Sequence, residues 1–219
     1  MATTGTSASP AGSGTQYYEA ILTPDNNSGV SGTALVAQQG NTLDVTVNAT
    51  GLTPNQVHPL HIHGFLDGRP STVPTSANDF DHDGYINAFD SETAVGPVML
   101  SLTDNPQLAV QSLFTQSGDI FPTADAQGNL SYHETFNFNL SQEAQFVYDL
   151  LQPLGSRYVE LHGANVSAGT VAGSTGPLSA GYHTSVPVAG GLLHPISTTE
   201  GQTLSQTLAA AAASHVTLG

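Results

Sequence analysis

Three histidines stand within six positions in "VHPLHIHG", residues 57–64 of a 219-residue chain that holds nine histidines and no cysteine. An imidazole nitrogen is a natural ligand for copper or zinc. Without thiolates, any such site here must be built from histidine and carboxylate. On a β-strand, residues i and i+2 point to the same side, roughly 7 Å apart. His61 and His63 therefore share a face, while Leu60 and Ile62 point to the opposite one. The same parity recurs in "YVELH", where Val159 and Leu161 face one way and Tyr158, Glu160 and His162 the other. In "SYHETFNFNL", Tyr132, Phe136, Phe138 and Leu140 form the apolar side and leave His133 on the polar one. If these strands are neighbours, His61, His63 and His162 form one copper or zinc site, with His133, His58 and His82 as candidate fourth ligands. The competing reading is that these imidazoles only hydrogen-bond backbone carbonyls. His58 has the wrong strand parity and would need a bend at Pro59 to join the pair. His183, His194 and His215 have no spacing that implicates them.

A second cluster of ligand types lies at "DFDHDGYINAFD", residues 79–90. Asp79, Asp81 and Asp83 occupy positions one, three and five of an EF-hand-type loop, and Gly84 provides the sharp turn at six. The Tyr85 carbonyl, Asn87 and Asp90 fall at seven, nine and twelve. Calcium takes six to eight oxygen ligands, and this pattern supplies them. The last ligand is Asp rather than Glu, which makes bidentate capture less natural. With no amphipathic helix evident on either side, the loop resembles the calcium loops of dockerin modules, inserted between strands as a structural calcium site.

The elements that must position these residues read as short alternating strands separated by Gly, Asn, Asp and Pro. Strands are expected at 16–23, 31–38, 41–50, 57–65, 96–103, 129–140, 157–163 and near 183–189. A turn at Gly40-Asn41 would join the second and third. One short helix follows Ser141, a good N-cap, with Glu143 in its first turn. Ala144, Val147, Leu150 and Leu151 form its apolar face, and Pro153 stops it. Residues 1–15 read as a flexible arm and 16–195 as one domain. Residues 196–219 read as a tail, with the Ala-rich 203–213 open to either helix or tail. Residues 164–181 read as a long mobile loop. The fold class is all-β: a Greek-key sandwich or barrel with one short helix and a calcium-loop insertion.

Composition narrows the partners. Seventeen acidic residues oppose two arginines, Arg69 and Arg157, with no lysine, for a formal net charge of −15. Such a surface repels nucleic acid and anionic lipid and attracts cations. No stretch approaches a membrane span. The N-terminus carries no Sec-type signal, yet the acidity, the absence of Lys and Cys, and the calcium loop suit a calcium-rich exterior. An extracellular location is therefore expected. There is no nucleophile elbow, phosphate loop or HExxH helix.

The run "GTALVAQQGNTLDVTVNATGL", then "LHIHGFLDG", "GPVMLSLT", a short helix and "RYVELHG" resembles the chordin-type (CHRD) domain family, over roughly residues 16–163. That resemblance implies a secreted β-rich module with a binding or structural role. The same segments are similar to Cu/Zn superoxide dismutase, which would make His61, His63 and His162 copper ligands on a Greek-key barrel. The zinc loop with its bridging histidine, the disulfide and the guiding arginine of that family are missing. The expectation is thus a secreted calcium-binding structural or adhesive module, self-associating or joining other extracellular proteins. The alternative is a copper enzyme of the dismutase type, or a copper- or zinc-binding protein without turnover.

Overall fold

In the computed structural model, residues 14–173 and 176–216 are described; most of the expected 1–15 arm lies outside the described residues. The chain is mostly β. Strands β1 (Gln16–Pro24), β2 (Ser31–Gln39) and β3 (Thr42–Thr50) form an antiparallel meander, with Gly40 at positive φ in the turn between the last two. β4 (Leu60–His63) and β5 (Val98–Ser101) pair antiparallel across a long excursion that contains helix α1 (Ala88–Val95). A four-residue helix α2 (Pro106–Ala109) precedes β6 (Leu130–Asn137), and α3 (Gln142–Leu151) leads into β7 (Tyr158–Val166). A small hairpin, β8 (Ala172–Gly173) with β9 (Gly176–Pro177), precedes β10 (Gly181–Leu192). The short β11 (His194–Ile196) pairs with β1, and α4 (Thr198–Val216) ends the described chain.

The principal sheet runs β5-β4-β7-β10-β1-β2-β3-β6, antiparallel at every pairing. It curls on itself, because residues from its opposite ends enter one core. Leu100 of β5 and Ile62 of β4 lie in the same cluster as Val45 and Val47 of β3 and Phe136 of β6. The alternation predicted from sequence produces this: Leu43, Val45, Val47 and Ala49 are buried while the residues between them remain partly exposed. Helix α3 closes one side with Ala144, Val147 and Leu151 buried, and Ser141 Oγ caps it by accepting from the Ala144 N–H at 3.1 Å.

Two expectations are corrected, and one left open is filled. The helix at 142–151 is accompanied by three others among the described residues, and α1 and α2 had no strong apolar period to announce them. The tail, open to either reading, is helical over Thr198–Val216 and packs on β1, β2 and β3. The segment 164–181 is not an open loop: β7 runs to Val166, β8 and β9 form a hairpin, and Val171 is buried with Val166 and Val186. Residues 174–175 of that segment lie outside the described residues.

Candidate metal centre

β4 lies between β5 and β7, and its register sets the site. His61 stands opposite Ser101 on one side and Glu160 on the other; His63 stands opposite Tyr158. The parity argument holds for both strands. Leu60, Ile62, Val159 and Leu161 enter the core, while the histidines and Glu160 project from the other face of the sheet. That face is covered. The 64–97 excursion folds over it, packing Ala94 and Val95 of α1 on Tyr158, and Phe121 closes on His61 with ring centroids 5.2 Å apart. His61, His63 and His162 are consequently buried, at 6%, 5% and 4% exposure.

The three imidazoles each offer a ring nitrogen, and these atoms lie within 4.8 Å of one another. Their other contacts orient them. His63 Nδ1–H donates to the Gly96 carbonyl at 2.8 Å, which turns Nε2 inward. His61 Nε2 lies 3.2 Å from the Thr115 hydroxyl, leaving Nδ1 without a partner. Neither nitrogen of His162 makes a hydrogen bond. A metal-ligating histidine ordinarily fixes its second nitrogen on a carbonyl or hydroxyl in this way. Burial, with His162 and His63 adding, holds His61 well below the ordinary imidazole range. His63 is likewise lowered by burial, with Glu160 opposing. Both rings are therefore neutral near pH 7 and free to offer a lone pair.

Glu160 is fully buried beside them, with Oε2 at 3.4 Å from His63 Nε2 and 3.1 Å from His162 Nε2. Burial pushes its carboxyl up, but His162 and His63 outweigh that and hold it below the usual carboxylate range. Gly96 and Gly190 make these approaches possible. Gly96 ends α1 at φ +86, where an added Cβ would overlap the backbone of Gly64. Gly190 lies opposite Glu160 on β10 and leaves room for the Tyr158 ring. Above the histidines opens a pocket of about 590 Å³, lined by apolar residues such as Val57, Val98, Phe114 and Phe121, with Ala88 and Glu92 of α1 on its wall.

The other sequence candidates lie apart. His133 is exposed on β6, with Nε2 at 3.0 Å from Asp44 Oδ2 across the β3–β6 pair; it is not brought to the triad. His58 is buried, but its ring nitrogens lie 2.8 Å from the His162 carbonyl and 3.1 Å from that of Thr53, so it supports the strand rather than the site. His82 is exposed at positive φ in the acidic loop. Strand parity puts Glu160 on the histidine face, but nothing in the spacing marks a lone carboxylate as belonging to the cluster. Thr115 and Gly96 act through tertiary contacts that leave no motif.

In the 79–90 loop, Asp79, Asp81 and Asp83 bring their carboxylates within 4.8 Å of one another. Asp79 Oδ2 accepts from the Gly84 N–H at 3.0 Å, and Gly84 turns at φ +87 as the pattern requires. Asn87 and Asp90 serve the helix that follows, a short one without the amphipathic period of a paired EF-hand. Asn87 Oδ1 caps α1 by accepting from Phe89 and Asp90 N–H, and Asp90 accepts from the N–H groups of Asn87 and Phe80. Asp90 is not among the converging carboxylates. Asn26 ties the loop to the body, exchanging two hydrogen bonds with the Ile86 backbone and donating to the Pro187 carbonyl.

No helix among the described residues is long and apolar enough to cross a membrane. No protein-family model matches the chain, and no curated protein matches it.

Proposed function

We propose that this protein is an extracellular metal-binding β-module that holds one copper or zinc ion on His61, His63 and His162 and a structural calcium in the 79–90 loop. The observation that carries the reading is the convergence of three buried imidazoles whose inward nitrogens have no protein hydrogen-bond partner. Leaving buried polar atoms unpaired costs about 1–3 kcal/mol each. A fold that only joined partners would have no use for such a cluster at the floor of a pocket. Metal binding is therefore favoured over a purely structural or adhesive role. The converging Asp79, Asp81 and Asp83 carboxylates support the calcium, and the acidity and cysteine-free composition support the exterior.

Superoxide turnover is the weaker variant. The guanidinium of Arg157 is buried and donates to the carbonyls of Leu150, Leu151 and Gln152. Arg69 lies over the Phe65 ring, 3.7 Å from its centroid. Neither arginine lines the pocket, so an anionic substrate finds no guide there.

Metal analysis and calorimetric titration test the reading. One copper or zinc per chain is expected, lost in His61→Gln and His162→Gln and retained in His133→Gln. A purified protein that takes up neither ion, or takes it up equally in all three variants, would refute it.

A further inference from the structure

Glu160 is the least accounted-for group in the molecule. It is a fully buried carboxylate in a chain without lysine, and the guanidinium of Arg157 is spent on backbone carbonyls. Its one aligned hydrogen bond comes from the Ser91 hydroxyl at 3.4 Å, and Oε1 has none. A buried carboxylate is unfavourable unless a cation or donors meet it, and the groups beside this one are the His63 and His162 rings.

Its position says which cation. Oε2 lies 3.4 Å from His63 Nε2 and 3.1 Å from His162 Nε2, yet neither nitrogen is aligned to hydrogen-bond it. Two ligands of one tetrahedral ion with bonds of about 2.0–2.1 Å are separated by about 3.3 Å. The two distances match that edge. Glu160 is also the direct cross-strand neighbour of His61. The histidines line the pocket and Glu160 does not, which puts the carboxylate on the interior side.

We propose that Glu160 is the fourth protein ligand of the centre, closing it from the interior as a three-nitrogen, one-oxygen set. The pocket-facing side is then left for an exchangeable ligand. The centre carries one positive charge less than a three-histidine site would. This rests on the histidine metal reading, and the experiment separates the two.

Copper(II) is titrated into the metal-free wild type, Glu160→Gln and Glu160→Asp, with affinity measured by chelator competition and the coordination by electron paramagnetic resonance. In Glu160→Gln the affinity is expected to fall at least tenfold. The hyperfine pattern should change as the anionic oxygen is lost. A group that merely packed beneath the site would leave the resonance spectrum unmoved. Glu160→Asp, which keeps the charge and withdraws it by one methylene, should also lose affinity and shift the spectrum; it decides the matter if Glu160→Gln does not fold. A wild type that binds neither copper nor zinc overturns both readings. A wild type that binds copper with a spectrum and affinity that either folded variant reproduces overturns the Glu160 assignment alone.

Discussion

Asp25 sits one residue beyond β1 with Oδ2 enclosed and unpartnered, and it feels the charge of Glu160 and His162 in the proposed metal centre. Burial pushes its carboxyl up to about 7, with Glu160 adding and His162 opposing. Between the ordinary 3.8 and about 7, the folded metal-free chain keeps a proton on Asp25 that the unfolded chain has released. At this group the unfolded state thus binds fewer protons in that window, and its contribution to stability falls as pH rises, while the lowered His61 and His63 act with the opposite sign. The Asp25 contribution is on the order of 4 kcal/mol if it acts alone. From pH 4 to pH 7 the urea midpoint of metal-free Asp25→Asn should therefore gain on that of the metal-free wild type. An identical slope in the variant would mean that another group carries the proton. None of this was legible in the sequence, where Asp25 is one of seventeen acids in a turn-like "TPDNNSG". The histidine pair was legible, because strand parity is set by covalent geometry and needs no knowledge of neighbours. Glu160 shared that parity, but its significance depends on which strands lie alongside.

Helix α1 is the element that joins the two proposed metal sites. Its cap, Asn87 with Asp90, consists of the last side chains of the acidic loop. Its body supplies Ser91 to Glu160 and Ala88 and Glu92 to the pocket wall, and its terminal Gly96 offers the carbonyl that turns His63. Ordering the loop with calcium therefore orders three supports of the histidine centre. Calcium at about a hundred times its dissociation constant should stabilise the fold by about 2.7 kcal/mol, a melting shift of about 5–10 °C for a chain of this size. It should also tighten copper or zinc binding about fivefold or more, and the converse must hold by linkage. Asp81→Ala with Asp83→Ala should abolish both effects together. A calcium-induced melting shift with no change in copper or zinc affinity would show that α1 does not transmit. The sequence did not reveal this helix, since its eight residues bury Asp90 and Ser91 beside only Ala94 and Val95 and so lack an apolar period. The strands and α3 were legible because their periods of two and of about 3.6 run unbroken, as in Leu43, Val45, Val47 and Ala49 or in Ala144, Val147 and Leu151. The β8–β9 hairpin was not, because Gly, Ser and Ala carry almost no alternation to read.

At the scale of the whole molecule, charge is the dominant feature. Formal charge stands at −15, and the two cations offset little of it where it matters. Arg157 is enclosed among carbonyls, and Arg69 is already held 3.9 Å from Asp67, so the outer surface is close to uniformly acidic. Self-repulsion of like charges favours the expanded chain, because unfolding moves them apart. Raising salt from about 0.01 M to about 0.15 M shortens the screening length from about 30 Å to about 8 Å, which removes most of that repulsion between distant carboxylates. The melting temperature of the metal-free protein should accordingly rise with sodium chloride. Opposed surface ion pairs would give the reverse sign; His133–Asp44 and Arg69–Asp67 are such exposed pairs among the described residues. The same field draws divalent cations toward the site, so copper or zinc association should be fastest at low salt and slow steeply as salt is added. An anionic probe of the pocket should show the opposite trend. Stopped-flow association of copper with the metal-free protein, and of a small anion with the metal-loaded protein, each across this salt range, measures the two signs side by side. Parallel slopes would mean that the acidic surface does not govern entry to the pocket.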